Sequence, residues 1–246
     1  VSMILSPDRS KLSKRHGATS VQEFRDQGYL PETLTNYLAL LGWSTGQDRD
    51  FWDLSDMINE FSLKDISRSP AVYDVEKLTW MNGHYIAECP TQRLCDILFR
   101  EAEAKGWPVG NNPEYFYKVI ELVKTRAKTT LEILSLIEYF YEEPINYDEK
   151  GLNKYFLKDN APSLLQTAEE LVNELNIFSA QALEDALRAK ASLMGIKAGV
   201  LIHPIRLAVS GRTNTPGLFE IMAILGREVC LRRIRSALAF LKRHKS

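Results

Sequence analysis

The sequence lacks the features that mark several common classes of protein. Its 246 residues contain no apolar run near the roughly 20 residues that a helix needs to cross a bilayer. The start has no charged segment followed by a hydrophobic signal core. We therefore expect no membrane association and a cytoplasmic location. Gly-rich turns of the dinucleotide or P-loop type are also missing.

Cysteine is scarce, which argues against two kinds of structural cross-link. The three cysteines, Cys89, Cys95 and Cys230, form an odd, scattered set without CxxC spacing. Neither a disulfide framework nor a zinc site is indicated, and we expect reduced thiols. Three histidines also lack a spacing suited to metal binding: His16, His84 and His244. No metal ligand is predicted.

An excess of positive charge is absent as well. The chain has 31 Lys and Arg against 32 Asp and Glu, a formal net charge of −1. Binding of nucleic acid by bulk attraction is therefore not expected, and any RNA contact must come from local basic patches. Four stretches provide such patches: 11–15, 124–128, 206–212 and 232–243.

The first of these stretches is Lys11-Leu12-Ser13-Lys14-Arg15-His16-Gly17. Lysine offers a compact ammonium and arginine a planar fork, and together they can neutralise charge on phosphoryl oxygens. A glycine after the cations lets the backbone turn sharply beside a ligand. Composition alone favours a solvated surface loop.

Three separated signatures resemble one family. The string Lys-Leu-Ser-Lys-Arg at 11–15, with Leu5-Ser6 before it and His16-Gly17-Ala18 after it, resembles the second signature motif of class I aminoacyl-tRNA synthetases, in the form found in bacterial-type glutamyl-tRNA synthetases. Residues 28–44 and residues 195–211 are similar to the same family. The resemblance therefore covers essentially the whole chain.

The resemblance implies a role for the basic loop in ATP chemistry. Lys14 is expected to be catalytic, meeting the phosphates of ATP during adenylate formation, while Lys11, Ser13 and Arg15 shape the same phosphate site. In the family a Rossmann domain precedes this loop, and this sequence shows no counterpart. We therefore expect the C-terminal half of the enzyme, inactive alone, with Mg²⁺ bound only together with the missing domain. The implied substrates and partners are glutamate, ATP and tRNA(Glu), and a monomer is expected.

The helical spacing of apolar residues, together with start and stop signals at the ends of these segments, predicts a helical chain. The predicted helices are 20–27, 31–41, 55–61, 74–81, 91–105, 113–124, 130–141, 162–175, 179–194 and 228–242. Asn82-Gly83 is expected to end the fourth of these, and Thr91 to cap the fifth. Gly195 and Gly199 are expected to delimit a tight turn, and 212–217 a polar loop.

Strand-like alternation is not found after Tyr85, so the predicted fold class is all-α. In the family this pattern favours an α-helical anticodon-binding cage over β-barrels. The predicted domains are 1–87 for the lysine loop and stem-contact unit, with 88–148 and 149–246 as two anticodon-binding subdomains.

Candidate RNA contacts lie in two basic stretches. Arg126, with Lys124 and Lys128, can bond a base edge, or it can cap a helix C-terminus. Arg206 and Arg212 can either contact the RNA backbone or pair with other groups within the chain. A histidine before proline, His203, is expected in a structural turn.

Two aromatic side chains are further candidates. Tyr155 and Phe156 can stack on splayed bases, or can lie in the core.

Two functions fit these observations. One is the tRNA-binding and anticodon-recognition part of a glutamate–tRNA ligase. The other is a non-catalytic helical scaffold that binds proteins. The basic loop favours the first, because a scaffold has no use for phosphate-binding chemistry.

Overall fold

A computed structural model of the protein describes residues 3–10, 20–43, 46, 48–67 and 69–244. Within these ranges helices dominate, and the predicted all-α class is confirmed. A two-stranded parallel sheet joins β1, Ile4–Leu5, to β2, Ala71–Val72. The helices in chain order are α1 Val21–Asp26, α2 Pro31–Leu40, α3 Leu54–Glu60, α4 Val75–Glu88, α5 Thr91–Ala104, α6 Pro113–Val123, α7 Thr130–Tyr141, α8 Glu149–Gly151, α9 Ala161–Glu174, α10 Ala180–Leu193, α11 Ala198–Ser210, α12 Leu218–Leu225 and α13 Arg227–His244.

Shorter helical turns complete the pattern. They are the 3-10 turns Leu63–Asp65, Val109–Asn111 and Lys124–Arg126, and the π-helical turn Leu152–Phe156.

The described residues fall into two compact units. Val1–Asn111 and Val123–Ser135 contribute to the first, and Asn112–Leu122 and Leu136–Ser246 to the second. The first unit is centred on α2 and α4, whose aromatic and apolar side chains Tyr37, Leu78 and Met81 are buried against Tyr73. The second is a helical bundle in which α9, α11 and α13 pack against one another.

Local start and stop signals explain the helices that were predicted correctly. The Ser20 hydroxyl accepts from the Glu23 N–H at 3.2 Å, and the Glu23 carboxylate accepts from the Ser20 N–H at 2.9 Å. This reciprocal capping box fixes the start of α1. Gly106, with φ of +81°, ends the turn after α5, because the left-handed conformation costs glycine little.

The prediction that Asn82-Gly83 ends a helix is wrong. Helix α4 continues through both residues to Glu88. The local stop signal is overridden because the Asn82 side chain is fully buried and hydrogen-bonded to other segments. The helix ends instead at Glu88, and the C-cap residue Cys89 has the extended backbone that suits the residue before Pro90.

The region after Gly195 also differs from the prediction. Gly195 has φ of +65° and makes a turn, but Gly199 lies inside α11. His203-Pro204 is not a turn either, since Pro204 lies within the same helix. A proline there removes one backbone hydrogen bond, and the apolar face of α11 compensates by complete burial of side chains such as Leu201 and Ile205.

The three cysteines are buried free thiols, as expected for reduced cysteine. Burial raises the pKa of Cys230 to about 12 and that of Cys95 to about 11, so both thiols stay protonated and unreactive near neutral pH. Among the described helices, none combines the length and the apolar character that a bilayer crossing demands.

Candidate RNA-binding surface

The predicted basic cluster lies on one tight turn of the first unit. Lys124–Arg126 form a single 3-10 turn between α6 and α7, and Ala127 after it is extended. Val123 and Ala127 are buried, which fixes the turn against the unit and directs Arg126 to solvent. We call residues 124–128 the basic turn.

Lys124 holds the start of the basic turn. Its ammonium donates to the Thr91 hydroxyl at 2.9 Å and to the Cys89 carbonyl at 3.3 Å. The prediction that Thr91 caps α5 is wrong, because Pro90 occupies the cap position and Thr91 is the first helical residue. Lys124 therefore ties the basic turn to the junction of α4 and α5.

Lys128 holds the end of the basic turn through its backbone. Its carbonyl accepts from Asn82 Nδ2 at 2.6 Å, and its N–H donates to the Glu132 carboxylate at 2.7 Å. The Lys128 side chain is exposed. The turn is thus fixed at both ends, with the Arg126 side chain exposed between them.

Arg206 and Arg212 lie in the second unit, beside the loop that joins α11 to α12. The Arg206 guanidinium donates to the Thr215 hydroxyl and to the Pro216 carbonyl, so it holds this loop against the helix. Arg212 pairs with Glu138 at 2.7 Å, and its guanidinium lies 5.6 Å from the centre of the Tyr139 ring. Both arginines are therefore engaged within the chain, and both remain partly exposed.

The start of that loop is fixed by Gly211. Its φ is +72°, and a Cβ there would lie 2.9 Å from the Asn146 carbonyl oxygen. The Gly211 carbonyl accepts from the Asp148 N–H at 2.8 Å. A larger residue would displace this backbone contact, so the position requires glycine.

The two candidate aromatic residues have different surroundings. Phe156 is fully buried, which matches the core alternative. Tyr155 is half-buried and stacks on His203 with ring centres 4.9 Å apart and an interplanar angle of 14°. Partial burial lowers the pKa of His203, and the nearby cations Arg206 and Lys154 lower it further.

The predicted phosphate-binding residues lie outside the described residues. They are Lys11, Ser13, Lys14 and Arg15. Just before them, the Asp8 carboxylate accepts from the Ser10 N–H at 2.9 Å, and the Ser10 carbonyl accepts from the Ser6 N–H at 2.9 Å. Within the part of the chain that the structure describes, no group of three His, Cys, Asp or Glu could hold a metal ion.

Two family models match adjoining parts of this chain. The first, described as tRNA synthetases class I (E and Q), catalytic domain, matches residues 1–80. The second, described as an anticodon binding domain, matches residues 91–238, which is more than half of the chain. The basic turn, Arg206 and Arg212 all lie within the second match.

Individual relatives are similar over nearly the whole chain. Glutamate–tRNA ligase 1 of Syntrophomonas wolfei is 54% identical over 98% of this chain and 49% of its own length. Glutamate–tRNA ligase 1 of Caldanaerobacter subterraneus is 46% identical over 98% of this chain and 50% of its own length. A crystal structure of a glutamate tRNA ligase from Elizabethkingia meningosepticum superposes with a TM-score of 0.86, at 28% identity, over 98% of this chain and 51% of that one.

The chain spans about half the length of the curated relatives it matches. The match to the anticodon-binding model, the helical fold and the sequence identity all agree with the three signatures found in the sequence. The chain therefore belongs to the anticodon-binding domain family, and its first 80 residues match the model of the class I tRNA synthetase (E and Q) catalytic domain.

Proposed function

We propose that this chain is the tRNA-binding and anticodon-recognition portion of a glutamate–tRNA ligase, which joins glutamate to tRNA(Glu) with ATP through a glutamyl adenylate. The observation that carries the proposal is the match to an anticodon binding domain over residues 91–238, which contains an exposed arginine on a turn fixed at both ends. Such an arginine suits base recognition, because a guanidinium can bond the edge of an unstacked base in two places.

We propose a different function for each part of the chain. Residues 1–87 carry the lysine loop, in which Lys14 meets the ATP phosphates with help from Lys11, Ser13 and Arg15, and the stem-contact unit. Residues 88–148 and 149–246 are proposed as the two anticodon-binding subdomains. ATP and Mg²⁺ act only with the catalytic domain of the full-length ligase, which we propose to be a cytoplasmic monomer.

The cations of the second match have two proposed tasks. Arg126 reads a base, while Lys128 neutralises phosphate, since an exposed ammonium is a point charge that suits a backbone. Lys124, Arg206 and Arg212 contact RNA from positions that their bonds to Thr91, Thr215 and Glu138 hold in place. Pre-ordering these side chains reduces the entropy lost on binding.

The isolated chain is expected to retard tRNA(Glu) in a native gel. Because cations release counterions from the phosphates, we expect affinity to fall roughly tenfold or more between 50 and 200 mM salt. Lys128→Gln should reduce the slope of log affinity against log salt by about 1, since one phosphate contact is lost. The matched control is Arg188→Gln, an exposed residue on α10 paired with Glu184.

A helical scaffold would behave differently in the same assay. It would leave tRNA mobility unchanged at low salt, or would shift all RNAs equally with no effect of Lys128→Gln beyond that of Arg188→Gln. Either outcome would contradict the proposed RNA-binding function.

The isolated chain is also expected to be inactive in glutamate activation. We propose that the sites for glutamate and ATP are completed by parts of the full-length ligase beyond these 246 residues, so exchange of pyrophosphate into ATP should stay at background with glutamate, Mg²⁺ and tRNA present. Measurable glutamate-dependent exchange by these 246 residues would show that the chain carries a complete active site.

A further inference from the structure

Asn82 is a fully buried polar side chain whose hydrogen-bonding capacity is completely used. Its Oδ1 accepts from the Leu30 N–H at 2.9 Å and from the Thr33 hydroxyl at 2.8 Å. Its Nδ2 donates to the Gly28 carbonyl at 3.2 Å and to the Lys128 carbonyl at 2.6 Å. An amide has two donor hydrogens and one acceptor oxygen with two lone pairs, so all four positions have partners.

The partners of Asn82 belong to the two regions that match different family models. Gly28, Leu30 and Thr33 lie within the catalytic-domain match over residues 1–80, and Lys128 lies within the anticodon-binding match over residues 91–238. Asn82 itself lies in the short stretch between the two matches. All of these residues belong to the first compact unit.

A second contact joins the same two segments beside Asn82. The Thr130 N–H donates to the Gly28 carbonyl at 3.0 Å. Gly28 has φ of +85°, and a Cβ there would lie 2.9 Å from the backbone N of Leu131. The backbone before α2 and the backbone after the basic turn are therefore in direct contact, and only glycine permits that approach.

We propose that Asn82 is a positioning residue that couples the basic turn to the segment leading into α2. Binding of RNA at Arg126 then affects the region that matches the catalytic domain. The proposal rests on the proposed function. Its physical basis is a short, contiguous path: Arg126, the Lys128 carbonyl, the Asn82 amide and the Leu30 N–H. A contiguous hydrogen-bonded path between packed elements can carry energetic coupling between sites.

Each half of the amide has a separate task on this path. The oxygen fixes the start of α2, where Pro31 follows Leu30 and the Leu30 N–H has no partner within that helix. The nitrogen fixes the basic turn through the Lys128 carbonyl. A substitution that keeps the acceptor and weakens the donors, such as a carboxyl, which donates one hydrogen at most and none when ionised, therefore loosens the turn without freeing the Leu30 N–H.

Asn82→Asp is such a substitution, and the chain supplies a matched control. Asn36 is equally buried, and its Oδ1 accepts from the Trp52 N–H at 2.9 Å and from the Tyr85 hydroxyl at 2.6 Å. Its Nδ2 has no hydrogen-bond partner. Asn36→Asp therefore introduces the same buried carboxyl into the same unit without removing a donated bond.

The test measures charging by the full-length ligase on two tRNA(Glu) transcripts that differ only at the third anticodon base. Asn82→Asp is expected to lower the ratio of the two kcat/KM values about tenfold, because a carboxyl donates at most one of the two hydrogen bonds of the amide and the Arg126 turn is held less firmly. Asn36→Asp should lower the unfolding temperature yet leave the ratio unchanged. A wild-type ratio in the Asn82 variant, or an equal loss in both variants, would overturn the proposal.

A measurement on the unmutated ligase keeps the test valid if the variants fail to fold. Amide hydrogen exchange is followed with and without tRNA(Glu), and we expect slower exchange both at 124–130 and at the Leu30 amide. Protection at 124–130 with no change at Leu30 would refute the coupling. No protection at either segment would instead refute the proposed RNA contact of the basic turn.

Discussion

Replacing Lys14 with alanine in the full-length ligase is expected to lower the rate of glutamyl-adenylate formation about a hundredfold or more. A preorganised cation at the ATP phosphates stabilises charge that builds as pyrophosphate leaves, and losing one such donor costs on the order of 3 kcal/mol in the transition state. The measurement is glutamate-dependent exchange of pyrophosphate into ATP, with tRNA at saturation so that RNA binding does not limit the rate.

Two further measurements separate chemistry from folding in this experiment. The control variant is Lys64→Ala, an exposed lysine in the 3-10 turn Leu63–Asp65, which should keep the wild-type rate. Thermal unfolding of the Lys14 variant should match that of the parent. If the Lys14 variant activates glutamate as fast as the parent, the lysine loop is not catalytic.

The parts of the fold that sequence predicted well are those with local signals. Thr130–Tyr141 was predicted with both ends correct, and α1 began at its capping box. A cap or a glycine in the left-handed conformation acts within a few residues, so its energy can be read from a short window.

The errors in the fold came where distant contacts outweighed local preference. Asn82-Gly83 has the composition of a helix end, but the partners of Asn82 are 46 to 54 residues away. Helix α12 was not predicted because Leu218–Leu225 is apolar on most sides, which removes the periodic signal of an amphipathic helix. Pro204 favours a turn by its local preference, but the burial of apolar side chains on α11 offsets the cost of a proline inside that helix.

The candidate site was likewise predicted only where the signal is local. The sequence located its cations, because charge is a property of the residue itself. It did not give the partners of these cations, since Arg212 pairs with Glu138, 74 positions away, and the Lys124 ammonium reaches Thr91 on another helix. Asn82 was missed as a functional candidate, and a single sequence holds no signal for it.

Replacing Arg126 with glutamine is expected to relax discrimination at one anticodon base by about 1 to 3 kcal/mol, or roughly 5- to 150-fold in kcat/KM. Glutamine keeps an amide donor but loses the charge and the fork that bonds a base edge twice. With tRNA(Glu) at saturation, activation of glutamate should be unaffected, because we propose that Arg126 contacts the anticodon and not ATP. The measurement compares charging of transcripts that differ only at the third anticodon base.

The experiment must distinguish a contact of Arg126 with a base from a contact with a phosphate. Salt must be fixed, since affinity for RNA depends on it, and Arg188→Gln on α10 serves as the control for loss of one exposed guanidinium. A base contact predicts a loss confined to the transcript with the matching base. Equal losses on both transcripts would make Arg126 a backbone contact, because a phosphate carries no information about sequence. Base reading would then have to come from another group near the basic turn, and Lys128, whose side chain is exposed beside Arg126, would be the next residue to replace.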